Sequence, residues 1–159
     1  MNETLLRLLE DNARLSQEDL AAMTGLTPAA VAAEMDALRQ AGVILGYKTI
    51  VNWDKTGRDL CTARIELKVT PKSGMGFDEI AQRVAQFEEV QSVYLMSGGY
   101  DLALTVNGKS FKDVAMFVAQ RLAPLDSVES TSTHFMLKKY KEKGSLYQDD
   151  STDQREVMG

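Results

Sequence analysis

Apolar side chains recur at helical spacing through the first 45 residues. Leu5, Leu6, Leu8 and Leu9 follow Asn2, whose short polar side chain suits a helix N-cap. Leu20, Ala21 and Met23 follow Ser16, and Asp19 stands three residues on as the acid of a capping box. Gly25 is placed to end this second helix in left-handed backbone. Thr27 caps a third helix, with Pro28 at its first position, where a missing N–H does no harm. Val31, Met35 and Leu38 form that helix's buried stripe, and Gly42 ends it. Three short helices with a glycine turn between the second and third predict a helix-turn-helix.

From residue 43 the period changes to two. Residues 43–52 are apolar and β-branched and predict an extended strand leaving the helical unit, with Gly46 as a bulge or bend. Residues 52–57 read as a turn. Residues 61–69 alternate apolar and polar, the mark of a half-buried strand. Phe77, Ile80, Ala81, Val84 and Phe87 return to helical spacing. Residues 90–96 and 102–106 predict two strands joined across Gly98 and Gly99, a hairpin at the middle of a sheet. Ser110 caps a further helix carrying Phe111, Val114, Phe117, Val118 and Leu122, which Pro124 stops. Residues 128–140 predict a last strand, with Thr131, Thr133 and Phe135 on one face and Ser132, His134 and Met136 on the other. The order is β-α-β-β-α-β, a ferredoxin-like antiparallel sheet with two helices on one face. The fold class is therefore α+β: a helix-turn-helix domain, then a ferredoxin-like sheet domain. The uncovered sheet face calls for a second copy of the chain, so a dimer is expected. Residues 144–159 are polar and acidic and are expected to be disordered.

Charge complicates the helical unit. In a helix-turn-helix the third helix leads into the major groove, which makes Thr27, Pro28, Ala29, Ala30, Ala33 and Glu34 the reading positions. They are small, which permits close approach, but no Arg, Asn or Gln occurs among them before Arg39 and Gln40. Residues 1–45 hold three arginines against seven acidic residues, a net −4 within a chain of net −5. Phosphate contacts normally supply much of DNA affinity, so a helical trimer used for packing or partner binding competes with DNA reading. Residues 46–59 are the one basic stretch nearby, at net +1, and Lys48 there is either a phosphate contact or a solvated lysine.

The two glycines between the middle strands raise a second possibility. A glycine pair exposes backbone N–H groups with no side chain before them, and Tyr100 and Asp101 stand beside that backbone. Such a corner offers donors to a carboxylate and an acidic oxygen to an ammonium, as a small zwitterion requires. An ordinary tight turn uses the same residues. Catalytic chemistry is poorly provided for. Cys61 and His134 are the sole cysteine and histidine, so no thiolate cluster or multi-histidine metal site exists, and no nucleophile has a base nearby. No enzyme activity, metal or cofactor is expected. No apolar run reaches the roughly 18 residues that span a bilayer, and no signal-peptide pattern opens the chain, so a cytoplasmic location is expected and no membrane partner.

The helix-turn-helix, the run Gly42-Val43-Ile44-Leu45-Gly46-Tyr47, the linker and the β-α-β-β-α-β unit carrying Ser97-Gly98-Gly99-Tyr100-Asp101 together resemble the Lrp/AsnC family of feast/famine transcription regulators. The resemblance covers about residues 3 to 143. It implies domains at residues 1–46 (a winged helix-turn-helix that binds double-stranded DNA), 47–59 (linker strand and hinge) and 60–143 (an ACT-like effector-binding and oligomerisation domain), with 144–159 as tail. It implies a regulator of amino-acid metabolism whose homodimers assemble into octamers or similar rings. It also implies an amino-acid effector held between dimers at Gly98, Gly99, Tyr100 and Asp101 with Thr131 and Thr133, and DNA contact from Ser16 and Gln17 besides the third helix. The chain departs from the family where relatives usually carry arginines: here stand Ala32, Ala33, Glu34 and Asp36. That departure leaves two readings: a regulator whose affinity comes from many sites bound together, or an effector-binding protein of the same fold that has lost DNA contact.

Overall fold

The computed structural model describes residues 1–72, 74 and 76–147. Its contacts divide into two compact units, Met1–Thr49 and the chain from Ile50 onward. The first unit holds α1 (Glu3–Asp11), α2 (Gln17–Thr24) and α3 (Pro28–Gln40). Each helix starts where a short polar side chain can satisfy its open N–H groups. Asn2 accepts from Leu5 N–H, Ser16 and Asp19 close a reciprocal capping box, and Thr27 accepts from Ala30 N–H. Gly25 ends α2 in the left-handed region at φ 73°. Leu5, Leu9, Leu20, Ala21, Val31 and Leu38 form the buried core.

The second unit holds a 3₁₀ turn (Trp53–Thr56), β1 (Cys61–Val69), α4 (Phe77–Ala85), β2 (Val90–Leu95), β3 (Leu102–Gly108), α5 (Phe111–Phe117) continuing into a π turn (Val118–Leu122), and β4 (Val128–Phe135). The sheet order is β2-β3-β1-β4, with every pairing antiparallel. Ala63, Ile65, Leu67 and Val69 of β1 point to the helices and pack with Leu102, Leu104, Val106, Val84 and Phe117. The alternate residues line the open face. There Glu66 and His134 approach to 3.5 Å, and Ser132 lies 3.2 Å from the same histidine nitrogen.

At the end of β3 the sheet and α5 nearly touch. A Cβ built on Gly108 would stand 2.9 Å from Val114 Cγ2 and 3.4 Å from Val114 N. Val114 is 1% exposed, so it has no room to give. Gly108→Ala is therefore expected to cost about 1–3 kcal/mol by overpacking. Thermal unfolding of the sheet unit checks it, at roughly 4–8 °C per kcal/mol, and an unchanged midpoint would contradict the close approach.

Four expectations need correction. Residues 44–52 pair with nothing among the described residues and form no strand. Val43 and Ile44 donate their N–H groups to Leu38 O, closing the end of α3, and β-branched residues beyond them make no ladder without a partner strand. The glycine hairpin is not central, because β2 is an edge strand. The last strand stops at Phe135 and not Tyr140, after which Met136 N–H still reaches Thr62 O at 2.9 Å. Residues 144–147 are not tail: Lys141–Glu142 (β5) and Ser145–Leu146 (β6) form a short hairpin. Its turn works because Lys143 and Gly144 both take positive φ. The expectation of disorder for residues 148–159 lies outside the described residues.

Candidate functional site

Residues 96–101 connect β2 to β3, and Asp101 is the knot that shapes them. Its N–H donates to Leu67 O at 2.9 Å, and its carbonyl accepts from Met96 N–H at 2.8 Å. Its carboxylate Oδ2 accepts from Val69 N–H at 2.8 Å. The pairing of β1 with β3 ends at Leu67 and Leu102, so Val69 N–H, directed to that side of β1, has no β3 ladder partner. The Asp101 side chain supplies that acceptor. One carboxylate oxygen is thus committed to the backbone. Gly98 is at φ 136°, a conformation L side chains rarely adopt, and a Cβ on Gly98 or Gly99 would meet nothing within 4 Å. The turn is a short bare stretch of exposed backbone pinned at its base.

Tyr100 leans toward the open face of the sheet, where Arg64 Nη2 donates to its hydroxyl at 3.3 Å. Thr131 and Thr133 lie opposite Leu67 and Ile65, on the helix-facing side of β4. The four residues of the turn are contiguous, but the two threonines are separated from them by β1 and face the other side from the tyrosine hydroxyl. Within one chain these six residues do not form a single pocket. Arg64 was not foreseen: it lies 36 residues from Tyr100, and nothing local marks it.

In the helical unit, Ala29, Ala30, Ala33, Asp36, Ala37, Arg39 and Gln40 are exposed on α3. Thr27 and Pro28 at its start are exposed as well. Glu34 differs from the other reading positions. Its Oε1 accepts from Asn2 N–H at 2.9 Å and so is tied to the start of α1. The Ser16 hydroxyl accepts from Asp19 N–H at 3.0 Å and donates to Asp19 Oδ2 at 2.7 Å, while Gln17 stays exposed. Lys48 is exposed. The three-helix unit thus presents small residues and the start of a helix, whose first-turn N–H groups favour anions.

Burial raises the Cys61 thiol above its ordinary pKa, and the nearby Asp113 charge adds to this, which disfavours the thiolate. Among the described residues no group of three His, Cys, Asp or Glu side chains could hold a metal ion, and no helix is long and apolar enough to cross a membrane.

Comparison with known proteins accounts for both units. Residues 62–146 match the Lrp/AsnC ligand binding domain, and residues 3–44 match a winged helix-turn-helix DNA-binding domain. An uncharacterized HTH-type transcriptional regulator of Bacillus subtilis, YugG, is 46% identical over 97% of this chain and 93% of its own. The leucine response regulatory protein of Mycobacterium tuberculosis, LrpA, superposes with a TM-score of 0.74 at 25% identity, over 88% of this chain and 92% of that one. A Neisseria meningitidis transcriptional regulator solved as an L-Met complex superposes with a TM-score of 0.71 at 23% identity, over 92% and 96% of the two chains.

Proposed function

This chain belongs to the Lrp/AsnC family of transcription regulators, and on that premise we propose that it is a multimeric, cytoplasmic regulator of amino-acid metabolism that senses a small amino acid at residues 98–101. That it is a regulator with a DNA-binding helix-turn-helix and a ligand-binding domain, and not an enzyme, follows from the family itself. The finer reading is carried by the geometry of Asp101. A carboxylate that holds the base of the turn keeps the Gly98-Gly99 N–H groups in place for a ligand carboxylate, and its second oxygen is left for an ammonium. The complex of the Neisseria meningitidis protein with L-Met supports a ligand of this class.

The placement of the threonines supports multimers. Thr131 and Thr133 join the turn only if a second copy brings its own β4 to this corner. Homodimers assembled into an octamer or similar ring supply such a neighbour. Multimers also answer the charge problem, because linked sites raise effective concentration and compensate for a weak single contact. The domains proposed are 1–46 for double-stranded DNA, with Ser16, Gln17, residues 27–30, Ala33 and Lys48 at the duplex, 47–59 as hinge and 60–143 for effector and assembly. Glu34, tied to Asn2, is left out of the reading set.

The test is a thermal-shift screen of the twenty amino acids followed by gel shifts with the hit. A ligand that binds only the folded state raises the midpoint by mass action, so one or a few amino acids are expected to do so selectively. Binding to one DNA site is expected to be weak and steeply salt-dependent, and binding to repeated sites tighter. No shift with any amino acid would overturn the sensing role. No retardation of genomic fragments at low salt would leave the effector-binding reading without DNA.

A further inference from the structure

We propose that residues 139–147 form a strap that fastens the hinge to the sheet unit, and that opening the strap frees the hinge without disturbing the sheet or the ligand turn. The hinge enters this unit at the 3₁₀ turn Trp53–Thr56, where Thr56 Oγ1 donates to Trp53 O and Lys55 N–H to Asn52 O. Below the turn lies a cavity of about 50 Å³, walled by Val51, Trp53 and Asp54 on one side, Leu60, Thr62 and residues 136–139 on another, and Tyr147 on the last. That is room for about three water molecules. The side-chain oxygen of Asn52 is buried beside it with no hydrogen-bond partner. The hinge seat is therefore loosely packed and incompletely satisfied.

What closes the seat from the C-terminal side is Tyr147. Its N–H donates to Tyr140 O at 2.9 Å. Its hydroxyl donates to Glu142 Oε2 at 2.8 Å. The same carboxylate takes the Lys139 ammonium at 3.1 Å, and that ammonium also sits 5.9 Å from the tyrosine ring centre. A hairpin with two residues in each strand is marginal alone, and no residue from 139 to 147 belongs to the sheet unit's core. The strap therefore opens at far lower cost than the core. Residues 44–52 join the two units, so cleavage in the seat reports on the fastened end of that link. The fastening does not rest on the function proposed above.

The test uses the full chain without DNA. Trypsin cuts after Lys55 and Arg58 in the seat and after Arg83 on α4, and mass spectrometry follows each site. In Tyr147→Ala the two seat sites are expected to be cleaved about fivefold faster or more, with cleavage after Arg83 and the thermal midpoint unchanged. Tyr147→Phe, which keeps the ring and loses the bond to Glu142, is expected to fall between. Seat cleavage unchanged in Tyr147→Ala would overturn the proposal, and so would equal acceleration at Arg83, which would mean general unfolding. Because no duplex enters the measurement, failure of DNA binding leaves this outcome untouched.

Discussion

Leu20→Ala is expected to unfold the helical unit and abolish DNA binding while ligand binding by the sheet unit survives. Leu20 is 0% exposed and sits among only six buried residues that hold the three helices together. Truncating a buried leucine costs about 2–5 kcal/mol, the removed methyl groups and the cavity both contributing. A unit of about fifty residues has only about 2.5–7 kcal/mol of stability in all. The substitution thus takes most of what holds the unit folded. The contacts divide at Thr49, so the loss is expected to stay within Met1–Thr49. Circular dichroism should lose the helical signal of three helices, gel shifts should vanish, and the amino-acid thermal shift should remain. Wild-type retardation of DNA by this variant would show that the helical unit does not depend on so small a core.

The second large effect is expected at Asp101, where two substitutions separate its two roles. Asp101→Ala removes the acceptor of Val69 N–H, on a residue only 5% exposed. An orphaned buried donor costs about 1–3 kcal/mol, and the turn loses its pin. Both the midpoint and the ligand response are expected to fall. In Asp101→Asn the amide oxygen still accepts from Val69 N–H, so the midpoint is expected to hold near wild type. The charge is gone, however, and an ammonium would lose its ionic partner. A hydrogen bond to a charged group is worth roughly 1.5–3 kcal/mol, so affinity for an amino acid is expected to drop about tenfold or more. Calorimetric titration of both variants checks it. Wild-type affinity in Asp101→Asn would mean the aspartate only shapes the turn.

Much of the fold could be read where its causes are local. The caps at Asn2, Ser16 and Thr27 each act within three residues, and each formed as its sequence predicts. The alternation of residues 61–69 survives as the buried face of β1 because a period of two needs only a core on one side. What could not be read depends on partners far along the chain. Residues 43–52 have strand-like side chains, yet strand formation requires a neighbour, and the described residues provide none. The position of β2 at the sheet edge follows from β3 pairing with β1, a relation between segments 40 residues apart that no local pattern carries. Glu34 stands early in α3, where a reading residue is expected, and its bond to Asn2 spans 32 positions. At the candidate ligand site the contiguous turn was legible. Its pin was not, since Val69 meets Asp101, 32 positions away, only where the pairing of β1 with β3 has ended.

The exposed residues in the first half of α3 are Pro28 and three alanines, with Arg39 and Gln40 exposed only in its last turn, and this bears on the DNA the protein would prefer with that half at the duplex, as proposed. A methyl group neither donates to nor accepts from a base edge, and its one specific contact in the major groove is the thymine methyl. Letters of the code other than thymine are nearly invisible to such a surface. On the proposed reading, preference among duplexes is expected to come chiefly from mechanics: how willingly a stretch bends or narrows its minor groove to meet several helices at once. Such a protein is expected to sort genomic DNA by stiffness and phasing more than by consensus.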